Sequence, residues 1–317
     1  MLSLQRAVLP AVAGAVIVAA AVVLLVRGGS ESTEGANAAP ARPYAERSVI
    51  PSTIRRVTPA DYRAPLRSYR RHVRAALARM LVDVAGLRAA IARDDLSGAK
   101  AAWLRAFADY GTIGAAYGAF GELDRAINGL PDGLPGGADS ARFTGLHRIE
   151  RALWRRRSTD AARAPAARLA RDVTRLRTRV ATLDIDPLEY SLRAHEILED
   201  SLHLELSGRA SPWSGAALVA LRANVRGTQV VVRTLRRLVL RRDPDRRLPQ
   251  ADRALRRLAR ALDDLARAHG GLPAWPSLTT RDSERIAALT AGAAEQLAYI
   301  PELIDPRPPR PAQRAFG

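Results

Sequence analysis

A chain of 317 residues that is 47% apolar yet only 5% aromatic draws its core from Ala, Leu and Val. That is the palette of packed helices rather than of sheets, so the expected class is all-α. The formal charge of +18 comes almost wholly from arginine, because Lys100 is the only lysine; arginines recurring along helices, as in Arg168, Arg171, Arg175 and Arg179, read as solvated faces, and no nucleic-acid partner is expected. Cysteine is absent, which excludes disulfides, thiolate ligands, a cysteine nucleophile and a lipid-modified N-terminal cysteine.

Ala7 to Val26 is an uncharged run of 20 residues between Arg6 and Arg27, long enough to cross a bilayer core. Residues 1–29 therefore read as an uncleaved signal anchor or transmembrane helix, although Ala36-Asn37-Ala38 offers a small-residue cleavage site that would release a secreted or periplasmic form. Everything after about residue 30 is expected on the extracytoplasmic side. Residues 30–59, rich in Gly, Ser, Ala and Pro, read as a flexible linker.

Folding is expected over residues 60–305, followed by a Pro-rich tail at 306–317. Leu66, Tyr69, Val73, Leu77, Met80, Leu81, Val84 and Leu87 step by three or four along a first amphipathic helix. A second follows Ser97-Gly98 and carries Trp103, Phe107, Tyr110, Ile113, Tyr117 and Phe120. Asn128 to Ser140, broken by prolines and glycines, is a loop. A third helix runs from Phe143 to Ser158, and helical patterns cover 165–182, 187–206, 214–240, 250–269 and 280–300, with Pro165 and Pro187 suited to first turns. Eight helices with short connections fit stacked up-and-down bundles.

Within the third helix, His147 and Glu150 stand three apart and so share a face, the spacing of a cation site. Without cysteine thiolates a metal is expected on oxygen and imidazole donors, which suits iron, zinc, copper or a hard cation. Two donors fall short of the four to six such ions take, and His195 and Glu199, four apart on a later helix, are the candidates to complete the set from across a bundle. The competing reading makes them a surface pair worth about 0.2 to 0.5 kcal/mol. Arg151 shares the face of His147 and opposes a bare cation unless a carboxylate pairs with it. Trp103, Trp154 and Trp213 read as packing, and His72, His203 and His269 lack partners at metal spacing. With no His-Glu-x-x-His, no Gly-x-Ser-x-Gly elbow and no phosphate-binding loop, the expectation is a protein without enzymatic activity.

The stretch Phe143-Thr144-Gly145-Leu146-His147-Arg148-Ile149-Glu150 with Leu153-Trp154, the preceding Tyr117-Gly118-Ala119-Phe120-Gly121-Glu122-Leu123-Asp124, and Ala194-His195-Glu196-Ile197-Leu198-Glu199-Asp200 resemble the imelysin family, and within it the EfeO-type proteins of bacterial iron uptake. The resemblance spans roughly 65–300. It implies an imelysin-like pair of up-and-down four-helix bundles that captures iron and delivers it to an EfeU-like iron permease, beside an EfeB-like haem peroxidase. It maps His147 and Glu150 onto the family's metal ligands. Longer relatives carry a cupredoxin domain that residues 60–305 leave no room for, so the chain resembles the short, imelysin-only form. Two departures stand out: glutamates frequent in full-length relatives are Gly111 and Gly114 here, and a Tyr-Ser-His-Thr-Asp element is replaced by Pro212-Trp213-Ser214-Gly215-Ala216. They leave open an alternative, an envelope binding module for anionic polymers or lipid headgroups with a degenerate metal site.

Overall fold

A computed structural model describes residues 55–307, and every element in them is helical. The Ala7 to Val26 segment lies outside the described residues, and among those described no helix is long and apolar enough to cross a membrane. The long helices are α1 (Arg63–Ala92), α2 (Leu96–Gly111), α6 (Asp160–Arg179), α7 (Pro187–Asp200), α8 (Ala217–Leu240), α9 (Leu248–His269) and α10 (Thr280–Glu295). Between them lie the short α3 (Tyr117–Phe120), α4 (Glu122–Asn128) and α5 (Gly145–Glu150), and α11 (Tyr299–Leu303) ends the series.

Helix α1 presents the stripe its sequence announces: Leu66, Tyr69, Val73, Leu77, Met80, Val84 and Leu87 are all buried, and Leu81 is half-buried against them. That stripe packs on α2 and α6, while α7 packs on α8 and α10, and α9 covers α8 and α10. Helix α8 also lies against α1 and α2, so one core runs through the described residues. Alanines let these helices approach closely, and large side chains such as Trp103 and Tyr190 fill the gaps with no exposure.

Four helices differ from the sequence expectation for local reasons. The second helix stops at Gly111 instead of reaching Phe120: Thr112 Oγ donates to the Asp109 carbonyl, and the freed Thr112 carbonyl is met by His72 Nε2 at 3.0 Å. Helix α6 begins at Asp160, five residues before Pro165, because Ser158 Oγ accepts from the Ala161 N–H and starts the turn earlier. The helices expected over 143–158 and 187–206 each lose α geometry near their ends. A π-helical turn occupies Arg151–Arg155 and another Ser201–Glu205, with Arg156 N–H bonded to the Arg151 carbonyl and Leu206 N–H to that of Ser201.

Candidate functional site

Helix α5 is held in place from both ends. Thr144 is extended, its hydroxyl donates to the Ala126 carbonyl, and Gly145 turns the chain at φ +76° so that the helix starts against the end of α4. Trp103 Nε1 donates to the Leu146 carbonyl at 2.8 Å and fixes α5 to α2. Both functional side chains are then buried: His147 is 2% exposed and Glu150 not at all.

Glu150 is saturated by protein donors. Its Oε1 accepts from the Ser214 hydroxyl at 2.6 Å, the Ser214 N–H at 2.8 Å and the Trp213 N–H at 3.2 Å. Its Oε2 stands 2.8 Å from His147 Nδ1. With three donors converging on Oε1, Glu150 reads as the acceptor of the pair, and in the tautomer with its proton on Nδ1 the His147 imidazole has its lone pair on Nε2. Carboxylate and imidazole form the pairing in which a carboxylate orients a metal-ligating histidine. The segment Pro212 to Ala216, which departs from the resemblance in sequence, is the one whose backbone grips Glu150.

His147 lines a cavity of about 270 Å³ whose wall also includes Phe107, Tyr110, Tyr117, Asn128, Arg193 and Glu205; Glu150 is not part of that wall. Gly111 and Gly114 do line it. A Cβ on Gly111 would come within 2.9 Å of Ala223 Cβ, so glycine there lets α2 approach α8, whereas a Cβ on Gly114 would meet only ordinary contacts at 3.7 Å or more. Arg193 is engaged by Asp200 at 2.9 Å and Glu196 at 3.3 Å. Arg151, which the sequence set against a cation, is turned to Asp139 at 2.7 Å and the Ala138 carbonyl, and Arg148 joins it on that carbonyl.

His195 and Glu199 stand apart from this cavity. His195 Nε2 is 3.9 Å from Glu199 Oε1, and neither residue belongs to the cavity wall, which α7 contributes through Arg193, Ile197 and Asp200. Among the described residues no group of three or more His, Asp or Glu side chains is placed to hold a metal ion. The structure thus brings His147 to Glu150 but does not bring His195 and Glu199 to them.

Sequence reasoning missed Glu205 and Asn128. Both residues line the cavity, and Glu205 Oε2 and Asn128 Oδ1 are buried with no hydrogen-bond partner. Burial first, then the Glu150 and Asp200 carboxylates, push the Glu205 carboxyl from 4.5 up to about 8. Between those values the folded protein keeps a proton that the unfolded chain has released, so stability falls as pH rises from about 4.5 to about 8. Glu205→Gln is expected to flatten that slope and to gain on the order of 2 to 4 kcal/mol over the native residue at pH 8.5 relative to pH 4.5. Urea unfolding of both proteins at the two pH values checks it; parallel slopes would sink the assignment. Asp124 is also raised, by burial, while accepting from the Tyr110 hydroxyl at 2.6 Å behind the cavity.

The imelysin family model matches residues 65–300. The iron uptake system component EfeO of Escherichia coli strain K12, and its counterparts in Shigella flexneri and E. coli O157:H7, are each 27% identical over 233 residues, which is 74% of this chain and 62% of the relative. The chain thus spans less than two thirds of the length of the curated relatives it matches.

Proposed function

The chain belongs to the imelysin family, and from that premise we propose that it is an extracytoplasmic iron-uptake component that binds a metal cation as cargo at His147 and passes it to a membrane permease. The observation that carries the reading is the imidazole held by Glu150 in the wall of a cavity of about 270 Å³. His147 is the direct donor, and Glu205, whose carboxyl burial holds protonated up to about 8, stands in the same wall. Glu150 acts through His147 as a positioning residue, in place of the ligand role that the resemblance implies. His195 and Glu199 take no part and form a pair on α7. Iron is the cargo by the names of the relatives, and zinc or copper suits the same donors. No reaction is assigned to the site.

The surrounding system rests on the same premise: an EfeU-like permease and an EfeB-like haem peroxidase as partners, and anchoring through the Ala7 to Val26 segment. Calorimetric titration of the full-length protein with ferrous ion under argon, and with zinc in parallel, tests the reading. His147→Ala is expected to lower affinity by about 100-fold while leaving the fold intact. Equal titrations for native protein and variant would overturn it. The alternative, an envelope module for anionic polymers, draws on exposed arginines along α6 such as Arg163, Arg168, Arg171 and Arg175, and predicts metal-independent binding that weakens steeply with salt.

A further inference from the structure

Two of the helices that wall the His147 cavity use another face to line a surface groove of about 660 Å³. Helix α2 gives Phe107 and Tyr110 to the cavity and Leu104 and Ala108 to the groove, while α8 gives Ala220 and Asn224 to the one and Val219 and Arg222 to the other. Val82 of α1, and Leu272 beyond α9, complete the apolar lining. Leu104, Val219 and Leu272 are half-buried against the core, but Val82 is 72% exposed, the most exposed large apolar side chain among the described residues. The volume corresponds to roughly twenty water-sized groups, room for several side chains of a partner.

Charge in the groove is lopsided. Between α1 and α2, Arg79 pairs with Asp109 at 3.0 Å and Arg105 with Asp83 at 2.7 Å, so those four groups cancel. On α8, Arg222 and Arg226 line the groove and form no ion pair among the described residues. They stand four residues apart, about 6 Å along the axis and on one face. Burial first, then the Arg226 charge, lower the Arg222 guanidinium from its usual range, and Asp263 attracts Arg222 less than Arg226 repels it.

Apolar lining and unbalanced charge together select the occupant. Two guanidiniums one turn apart beside an apolar surface match a helix whose apolar stripe is edged by carboxylates four apart, because both rows then repeat at about 6 Å. A second copy of this chain is a poor match: it carries a charge of +18, and a two-fold contact through the groove would bring the same arginines of both copies together.

We propose that the groove formed by α1, α2 and α8 is a docking site for an acidic amphipathic helix of a partner protein, with its apolar stripe on Val82, Leu104, Val219 and Leu272 and two of its carboxylates on Arg222 and Arg226. The site does not depend on what the His147 cavity binds.

The experiment replaces Val82 with p-benzoylphenylalanine in the full-length protein, expressed in its own host, and irradiates intact cells. Mass spectrometry of the adduct then identifies the segment within reach of the groove. The expected adduct is with a segment of another protein in which apolar residues recur every three or four positions and carboxylates stand four apart. Arg222→Glu combined with Arg226→Glu is expected to lower its yield at least 10-fold. Arg171→Glu combined with Arg177→Glu, the same change of charge on α6 outside the groove, is expected to leave the yield unchanged. Arg226→Gln, a neutral change at one exposed position, is expected to lower the yield about threefold and keeps the test available should the double reversal not fold. An adduct with a neutral or basic segment, with lipid or with a second copy of this chain overturns the inference. So does an adduct that the groove variants leave unchanged, or one that both double variants weaken alike. No adduct at all, in cells grown with ample and with scarce iron, overturns it as well.

Discussion

Glu150→Ala is expected to destabilise the protein by about 3 to 5 kcal/mol, more than any other single truncation at the site. Four donors converge on that one carboxylate, from His147 Nδ1, the Trp213 N–H, and the Ser214 N–H and hydroxyl. Glu150 is fully buried, so the donors left behind have no bulk water to turn to. Urea unfolding followed by circular dichroism measures the loss, and a value under about 1 kcal/mol would show that water replaces the carboxylate. Glu150→Gln separates this structural role from the positioning one. Its oxygen still receives Trp213 and Ser214, but its NH₂ then faces His147 Nδ1, which has to become the acceptor. The imidazole proton moves to Nε2, which then has no lone pair to offer a cation. Cation binding is expected to fall by about 10 to 100-fold in a protein that remains folded. A glutamine variant that binds zinc as the native protein does would show that Glu150 does not act through the histidine tautomer.

Gly145→Ala is the second large effect, expected at about 2 to 4 kcal/mol. Part is local: at φ +76° an L side chain costs about 1 to 2 kcal/mol. The rest is steric, because a Cβ there would overlap the Ile127 and Ala126 carbonyl oxygens, which are backbone and cannot swing aside. Helix α4 and the start of α5 would have to separate, loosening the Trp103 bond to the Leu146 carbonyl. Denaturation against a control Gly118→Ala, where a Cβ meets nothing within 4 Å, gives the comparison; similar losses at the two positions would refute the steric argument.

Local periodicity makes some of this fold legible in the sequence and leaves the rest hidden. The α1 stripe and the loop from Asn128 to Ser140 come from local pattern alone; the structure keeps the stripe, and starts the loop at Gly129, after Asn128 closes α4, with a 3₁₀ turn at Gly137–Asp139 inside it. The pairing of His147 with Glu150 is legible for the same reason, since three residues on a helix is a distance. What Glu150 does with its other oxygen is not, because its partners lie 63 and 64 residues away in a segment with no motif of its own. The stop at Gly111 is hidden as well: it depends on contacts of Thr112 with α1 and α8 that no window along α2 contains. His195 and Glu199 share a helix face as expected, but which face of α7 meets the cavity is decided by packing.

The π turn at Ser201–Glu205 has a consequence for how such a cavity could arise. On an unbroken α-helix, at about 100° per residue, Glu205 would point roughly 120° away from Arg193, while Ile197, Asp200 and Leu204 would stay near Arg193. One extra residue held in a π turn rotates the residues beyond it back by roughly 100°, which returns Glu205 to the row of Arg193, Ile197 and Asp200. A single-codon insertion therefore suffices to swing a surface glutamate into a buried pocket, with no substitution in the pocket itself. Deleting one residue within 201–204 would undo it, sending the carboxylate back to solvent while the pocket's aromatic wall stays in place. In a lineage where glycines stand at 111 and 114, the length of one helical turn is a route to new acidity that comparison of residue identities alone would overlook.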